Sequence, residues 1–255
     1  MIDAHCHLQD DKLASALEQV IGEAMDRGID TFVVNGTSEK DWDRVADLAR
    51  NHRQIIPFFG LHPWFVADRS VDWLQRLTVF LDEFPDAGVG EIGLDRWIKN
   101  HDIDQQMPVF ESQWQLANEK GRPICVHCLQ AWGHLEQCLR SLPGKNFLLH
   151  SYSGSREMVP VFSKLGGYFS ISGYFLKPEK SAKLEIFDSV SDDRLLLETD
   201  APEMGLPPEQ NLYPGENFNH PANLTVVYEA VARRIGMSKS ELSSLVEKNF
   251  RNWLN

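Results

Sequence analysis

The chain alternates between short apolar runs and longer stretches in which apolar positions recur every three or four residues. The first run, MIDAHCHL (1–8), reads as a strand. Side chains alternate faces along a strand, so His5 and His7 share one face and Cys6 takes the other. In the stretch that follows (10–28), Leu13, Leu17, Val20, Ile21, Ala24 and Met25 fall at helical spacing and Gly28 ends the pattern. The same alternation continues to the C-terminus. Strands are predicted at 29–36, 55–63, 87–95, 123–128, 146–152, 167–173 and 194–200. Helices are predicted at 39–52, with Ser38 as N-cap, at 71–84, and at 102–121, with Pro108 near the first turn. Further helices fall at 131–142, 155–166, 178–190, 223–236 and 238–254.

Strands that alternate with helices imply a parallel sheet, and eight such units in this length predict an α/β fold, a (β/α)₈ TIM barrel forming a single domain over 1–255. A doubly wound open sheet is the alternative. The longest segment without a periodic pattern, 201–220, follows the eighth strand, and loops of that length usually serve function.

Composition narrows the function more than the fold. Hydrophobic residues make up 42% and charged residues 24%, an ordinary globular balance. A net charge of −12 argues against a protein that coats nucleic acid through a basic surface, but not against an enzyme that grips a phosphodiester locally through metal ions. No apolar run is long enough to cross a bilayer and no signal peptide is apparent, so the expected compartment is cytoplasmic and no membrane partner is expected. Cys6, Cys125, Cys128 and Cys138 read as reduced, mostly buried thiols; the C-x-x-C at 125–128 lies inside an apolar run with no second pair. The tryptophans and phenylalanines form no basic-aromatic platform, and core packing accounts for most of them.

Candidate chemistry gathers at the strand ends, where barrel active sites lie. His5 and His7 end the first strand and Glu91 lies in GEIGLD towards the end of the fourth. His127, His150 and Asp200 end the fifth, sixth and eighth. One histidine at a strand end is usually structural, whereas four histidines and two carboxylates on one rim suit metal ions. Gly88, Gly90 and Gly93 match G-x-G-x-x-G only within a strand, and neither a G-x-S-x-G elbow nor a Walker A sequence occurs.

The stretches DAHCHL (3–8), GLHP (60–63), GEIGLD (90–95), VHC (126–128), HSYSGS (150–155) and ETDAP (198–202) resemble, in order and from end to end, the TatD-type metal-dependent hydrolase and deoxyribonuclease family of the amidohydrolase-like barrel superfamily. The resemblance implies that His5, His7 and Asp200 hold one metal and that Glu91 bridges to a second held by His127 and His150. Two divalent ions (zinc, manganese or magnesium) would generate hydroxide from water and stabilise the oxygens of a phosphodiester. Asp200 is the candidate general base, with Glu91 beside it in the catalytic set. His62, Asp95 and Ser153 are the candidate substrate contacts, Asp95 alternatively orienting a ligand and Ser153 offering backbone N–H groups before a helix. Two family arginines are missing: none follows His127 in Cys128-Leu129-Gln130, and the stretch after strand eight is Phe218-Asn219-His220-Pro221. Both would grip a phosphate bidentately. By the family resemblance the expected substrate is DNA ends or a small phosphodiester, while the missing arginines favour a carbonyl compound. The alternatives are an amide, ester or lactone hydrolase of a small carbonyl compound, and a non-catalytic interaction protein. The sequence assigns no oligomeric state.

Overall fold

A computed structural model of the chain describes every residue except 143 and 145. Eight parallel strands form one sheet in sequential order. They are β1 (Ile2–Cys6), β2 (Thr31–Asn35), β3 (Ile55–Phe59), β4 (Gly88–Asp95), β5 (Ile124–Leu129), β6 (Phe147–Leu149), β7 (Gly167–Ile171) and β8 (Leu195–Leu197). Between them run α1 (Leu17–Asp26), α2 (Trp42–Asn51), α3 (Trp73–Glu83), α4 (Ile103–Lys120), α5 (Trp132–Ser141), α6 (Val159–Lys164) and α7 (Ser181–Leu184). The last two helices, α8 (Leu224–Ile235) and α9 (Lys239–Leu254), complete the ring. This is the predicted barrel, nearly closed. Among the described residues no helix is long and apolar enough to cross a membrane.

The seam between β8 and β1 is closed beyond the ladders. Asp200 N donates to His5 O at 3.0 Å and His7 N to Ala201 O at 2.7 Å. One strand turn earlier, the buried Asp3 carboxyl accepts from Thr199 N at 2.9 Å and meets Thr199 Oγ1 at 2.5 Å. Burial pushes the Asp3 carboxyl up to about 8 against the pull of these bonds. The seam therefore fixes the two strand ends that carry His5, His7 and Asp200. At β4, Gly93 lies so close to β5 that a Cβ there would sit 1.9 Å from His127 O, which explains a glycine within GEIGLD.

Element boundaries moved where side chains compete for the backbone. Ser38 does not cap α2: the Asp41 carboxylate accepts from Thr37 N, Thr37 Oγ1 and Ser38 N, which turns those residues before the helix starts. Helix α1 begins at Leu17 because residues 10–16 are taken up in turns, among them Lys12 N on Asp10 Oδ1. Pro108 lies in the second turn of α4 rather than the first, after Asp102 has capped the helix through Gln105 N. The segment 178–190 divides into 3₁₀ turns around the four residues of α7, with Lys180 N bonded to Lys177 O and Val190 N to Phe187 O. Ser238 and Glu241 form a reciprocal capping box at α9.

The long segment 201–220 is pinned rather than loose. Asn219 N donates to Pro202 O at 2.8 Å and its side-chain amide to Thr199 O at 2.9 Å. His220 stacks on Tyr213 with ring centroids 3.7 Å apart, accepts from Ala222 N, and places Nε2 3.3 Å from Glu23. Burial outweighs Glu23 and lowers His220 from 6.5 to about 4. Between those values the unfolded chain takes up a proton that the folded chain refuses, so stability falls as the pH drops through that window. Wild type should lose on the order of 1 kcal/mol more than His220→Gln between pH 7 and pH 5. Urea midpoints of both proteins at the two pH values check this; parallel losses would remove His220 as the cause.

Candidate metal centre

Glu91 stands at the centre of the barrel mouth and is 3% exposed. The β4–β5 register shifts between Val89 and Ile92, the stretch that carries it. Its two oxygens face different partners. Oε2 lies 3.6 Å from His5 Nε2 and 3.3 Å from His7 Nε2, and the same two nitrogens lie 3.3 and 3.5 Å from Asp200 Oδ1. Oε1 lies 2.8 Å from His150 Nε2, 3.0 Å from His127 Nδ1 and 3.3 Å from His62 Nε2. The His5 and His150 rings stack at 3.9 Å, joining the two sides. Three overlapping groups, His5/His7/Asp200, His5/Glu91/His150 and His62/Glu91/His127, each bring ligand atoms within 4.8 Å of one another.

The backbone at the rim is shaped for this convergence. His7 lies one residue beyond β1, yet its Nε2 meets that of His5 at 3.2 Å, as strand alternation requires. Asp200 adopts φ 55° and Ser151, beside His150, φ 40°. Left-handed backbone is uncommon for residues with a Cβ and turns the chain sharply at both strand exits.

The outer ring nitrogens fix the tautomers of His7, His127 and His62. His7 Nδ1 lies 2.8 Å from Asn35 O; a carbonyl only accepts, so neutral His7 presents a bare Nε2. His127 Nε2 donates to Asp95 Oδ2 at 3.0 Å, which leaves Nδ1 bare. His5 Nδ1 meets Cys125 Sγ at 3.3 Å. His62 is the reverse: its Nδ1 accepts from Trp64 N at 3.2 Å, so its proton sits on Nε2 and points at Glu91. His150 Nδ1 lies 3.6 Å from Glu198 Oε1 and has no hydrogen-bond partner among the described residues.

Charge follows the same division. Burial raises the Glu91 carboxyl, but His150, His62 and His127 outweigh it and hold the group well below the usual carboxylate range. Asp200 is lowered in the same way by His5 and His7. Burial favours neutral imidazole at His7, His127 and His150, yet the neighbouring carboxylates raise all three. His62 is lowered to about 4, chiefly by burial, and His5 is also lowered. Ring nitrogens and ionised oxygens packed this closely, with His7 and His127 anchored from behind, fit divalent cations of mixed nitrogen and oxygen preference.

Two sequence expectations need correction and one is enlarged. Asp95 does not offer its carboxylate to a substrate. It is fully buried, and its oxygens accept from His127 Nε2, Trp64 Nε1, Trp97 N and Ile98 N. Burial works against its ionised form, but His127, Ile98 and Trp64 hold it at about 2. Asp95 therefore orients His127 and caps the loop after β4. Ser153 stays outside the cluster; its carbonyl accepts from Lys183 Nζ, and the helix after it, α6, has only six residues. His62 belongs to the cluster itself. Glu198 escaped sequence reading: it is buried, accepts from Ser151 Oγ at 2.5 Å and from Ser170 Oγ, and backs His150. Its place two residues before Asp200 in LLLETD was the available signal. Asp95→Asn should weaken metal binding about 10- to 100-fold, the usual effect of losing a partner behind a ligand. A calorimetric metal titration reads the change; an unaltered isotherm would remove Asp95 from this role.

Comparison with known proteins places this geometry. A profile of the TatD related DNase family matches residues 2–255. The 3′-5′ ssDNA/RNA exonuclease TatD of Pantoea ananatis is 29% identical over 259 residues, covering 98% of each chain. The crystal structure of YjjV, a TatD homologue from Escherichia coli, superimposes with a TM-score of 0.90 at 27% identity, over 100% of this chain and 98% of that one. A TatD family hydrolase from Entamoeba histolytica shares the fold with a TM-score of 0.88 at 19% identity.

Proposed function

Because the chain belongs to the TatD-related DNase family of metal-dependent hydrolases, we propose that it cleaves phosphodiester bonds at nucleic-acid ends with two divalent cations held across Glu91. The observation that carries this reading is the division of Glu91: Oε2 faces His5, His7 and, beyond them, Asp200, while Oε1 faces His127 and His150. His5, His7 and Asp200 would hold one cation and His127 and His150 the other, with zinc, manganese or magnesium compatible with the donors. When bound, such cations acidify water and neutralise charge on phosphoryl oxygens. The protein's own groups do the rest. Asp200, ionised and on the rim, takes the proton of the attacking water. His62 is neutral at pH 7 with its proton on Nε2, so it donates to an oxygen on the Oε1 side of Glu91 and adds no charge. Asp95 and the Asn35 carbonyl keep His127 and His7 aimed. The buried walls around Glu91 exclude bulk water and strengthen each of these interactions.

One observation favours a carbonyl substrate instead. The two positions expected to carry arginine hold Leu129-Gln130 and a buried Phe218, so no guanidinium reaches the mouth from them. The test is hydrolysis by metal-stripped protein refilled with magnesium, manganese or zinc, on 5′-labelled single-stranded DNA and on an aryl ester. Metal-dependent shortening of the DNA from its end supports the proposal. Ester turnover with intact DNA would overturn the phosphodiester reading in favour of a carbonyl compound.

A further inference from the structure

Core packing claims Trp42, Trp114 and Trp253, which are fully buried, but not Trp64 and Trp97, which are 45% and 60% exposed. Both exposed tryptophans bond one carboxylate at the barrel mouth, Trp64 through its indole and Trp97 through its backbone: Trp64 Nε1 donates to Asp95 Oδ2 at 2.7 Å and Trp97 N to Asp95 Oδ1 at 2.6 Å. Trp64 is fixed twice more. Its backbone N–H bonds His62 Nδ1, and its ring lies edge-on to His62 at 5.1 Å and to His127 at 6.4 Å. A large aromatic face is thus held rigid and partly open to solvent, beside the imidazoles on the Oε1 side of Glu91. Leaving an indole face in water forfeits hydrophobic stabilisation, and 45% of Trp64 stays open among the described residues.

The charge balance says what the face meets. The molecule carries −12, and the two arginines that would fork a phosphate are absent. Neither of those positions then grips a phosphate, although Arg96, between Asp95 and Trp97, is exposed on the same loop. Stacking of a base on an aromatic ring needs no charge and tolerates any base. Resting on the phosphodiester reading above, we propose that Trp64 is the specificity-determining residue of this enzyme, its indole stacking on the base of the nucleotide whose phosphodiester lies at Glu91. The residue thereby replaces phosphate grip by base grip. Asp95 couples the two duties, since one oxygen holds both the His127 ligand and the Trp64 ring.

The test compares two short single-stranded oligonucleotides, one ending in a thymidine and one in an abasic residue, both with a cleavage-resistant phosphorothioate at the last linkage. Binding is read by fluorescence anisotropy on the protein as purified, for wild type, Trp64→Ala and Trp64→Phe. Wild type is expected to prefer the base-bearing end by roughly 5- to 150-fold. Trp64→Ala should bring that ratio to about one while leaving the abasic oligonucleotide bound as before. Trp64→Phe, which keeps a ring but loses the bond to Asp95, should retain part of it. On the cleavable oligonucleotide, Trp64→Ala should raise KM with little change in kcat. A ratio unchanged in Trp64→Ala, or wild type that binds both ends equally, overturns the assignment. The failures are separable: base preference without cleavage of normal DNA would sink the hydrolysis reading alone, and cleavage without base preference would sink the stacking alone.

Discussion

Glu91→Ala is expected to lose metal-dependent hydrolysis by more than about 10³-fold in kcat/KM, the scale of removing a principal charge from the reacting centre. The side chain is the one group that touches every histidine in the cluster: His5 and His7 through Oε2, and His62, His127 and His150 through Oε1. Without it, His7, His127 and His150 lose one cause of their raised proton affinity, while Asp200, Asp95 and Glu198 stay beside them as partners. The metal-free variant should therefore fold with little change in melting temperature, because no unpaired charge is stranded. What should vanish is the rise in melting temperature that added cations give wild type, since stabilisation by a ligand scales with the site's affinity. Glu91→Gln separates shape from charge and should behave like the alanine variant. A variant that kept both turnover and metal-induced stabilisation would show that Glu91 is a bystander among imidazoles.

Asp200→Asn should lower kcat by about 10²- to 10⁴-fold with a smaller loss of metal affinity, as expected when a proton acceptor is removed while its shape remains. The pH dependence sharpens this. Asp200 is held below the usual carboxylate range, so it stays ionised across the working pH and gives wild type no acidic limb. The histidines carry that limb. With His7 and His150 raised well above 6.5 and His127 raised as well, protons compete with cations for the ring nitrogens above that pH, and activity falls as the pH is lowered through their titration. Raising the metal concentration should shift the limb to lower pH, in wild type and in Asp200→Asn alike. A limb indifferent to metal concentration would assign it to a catalytic group instead.

The strand-end histidines were legible because their chemistry is local. His5 and His7 share a face by alternation, and each of His127, His150 and Asp200 lies at the end of an apolar run that reads as a buried parallel strand. The pairing of ligands across the barrel is not local. That Glu91 would show one oxygen to His7 and the other to His150 depends on five strands meeting at one mouth, and only the resemblance implied it. His62 read as a substrate contact from the GLHP match alone; the third strand ends at Phe59, and the chain leading into the 3₁₀ turn at Pro63–Asp68 sets His62 against Glu91. Asp95 read either as a substrate contact or as a residue that orients a ligand, and the structure selects the second. A carboxylate at the end of β4 has no sequence mark that distinguishes facing the mouth from facing the loop, and four donors turn it inward. Trp64 and Trp97 were indistinguishable from core tryptophans, since exposure of a single aromatic residue leaves no periodicity behind. Helix starts moved by several residues wherever an aspartate competed for backbone N–H groups, as Asp41 does ahead of α2.

The most direct measurement is the cation stoichiometry of the wild-type chain, by calorimetric titration of metal-free protein with manganese or zinc beside elemental analysis of the refilled protein. The division of Glu91 between two groups of ligands expects two ions per chain, bound with release of protons and both weakened in Glu91→Ala. A single ion whose affinity is untouched by Glu91→Ala, or none at all, would contradict the two-cation centre on which the proposed hydrolysis rests.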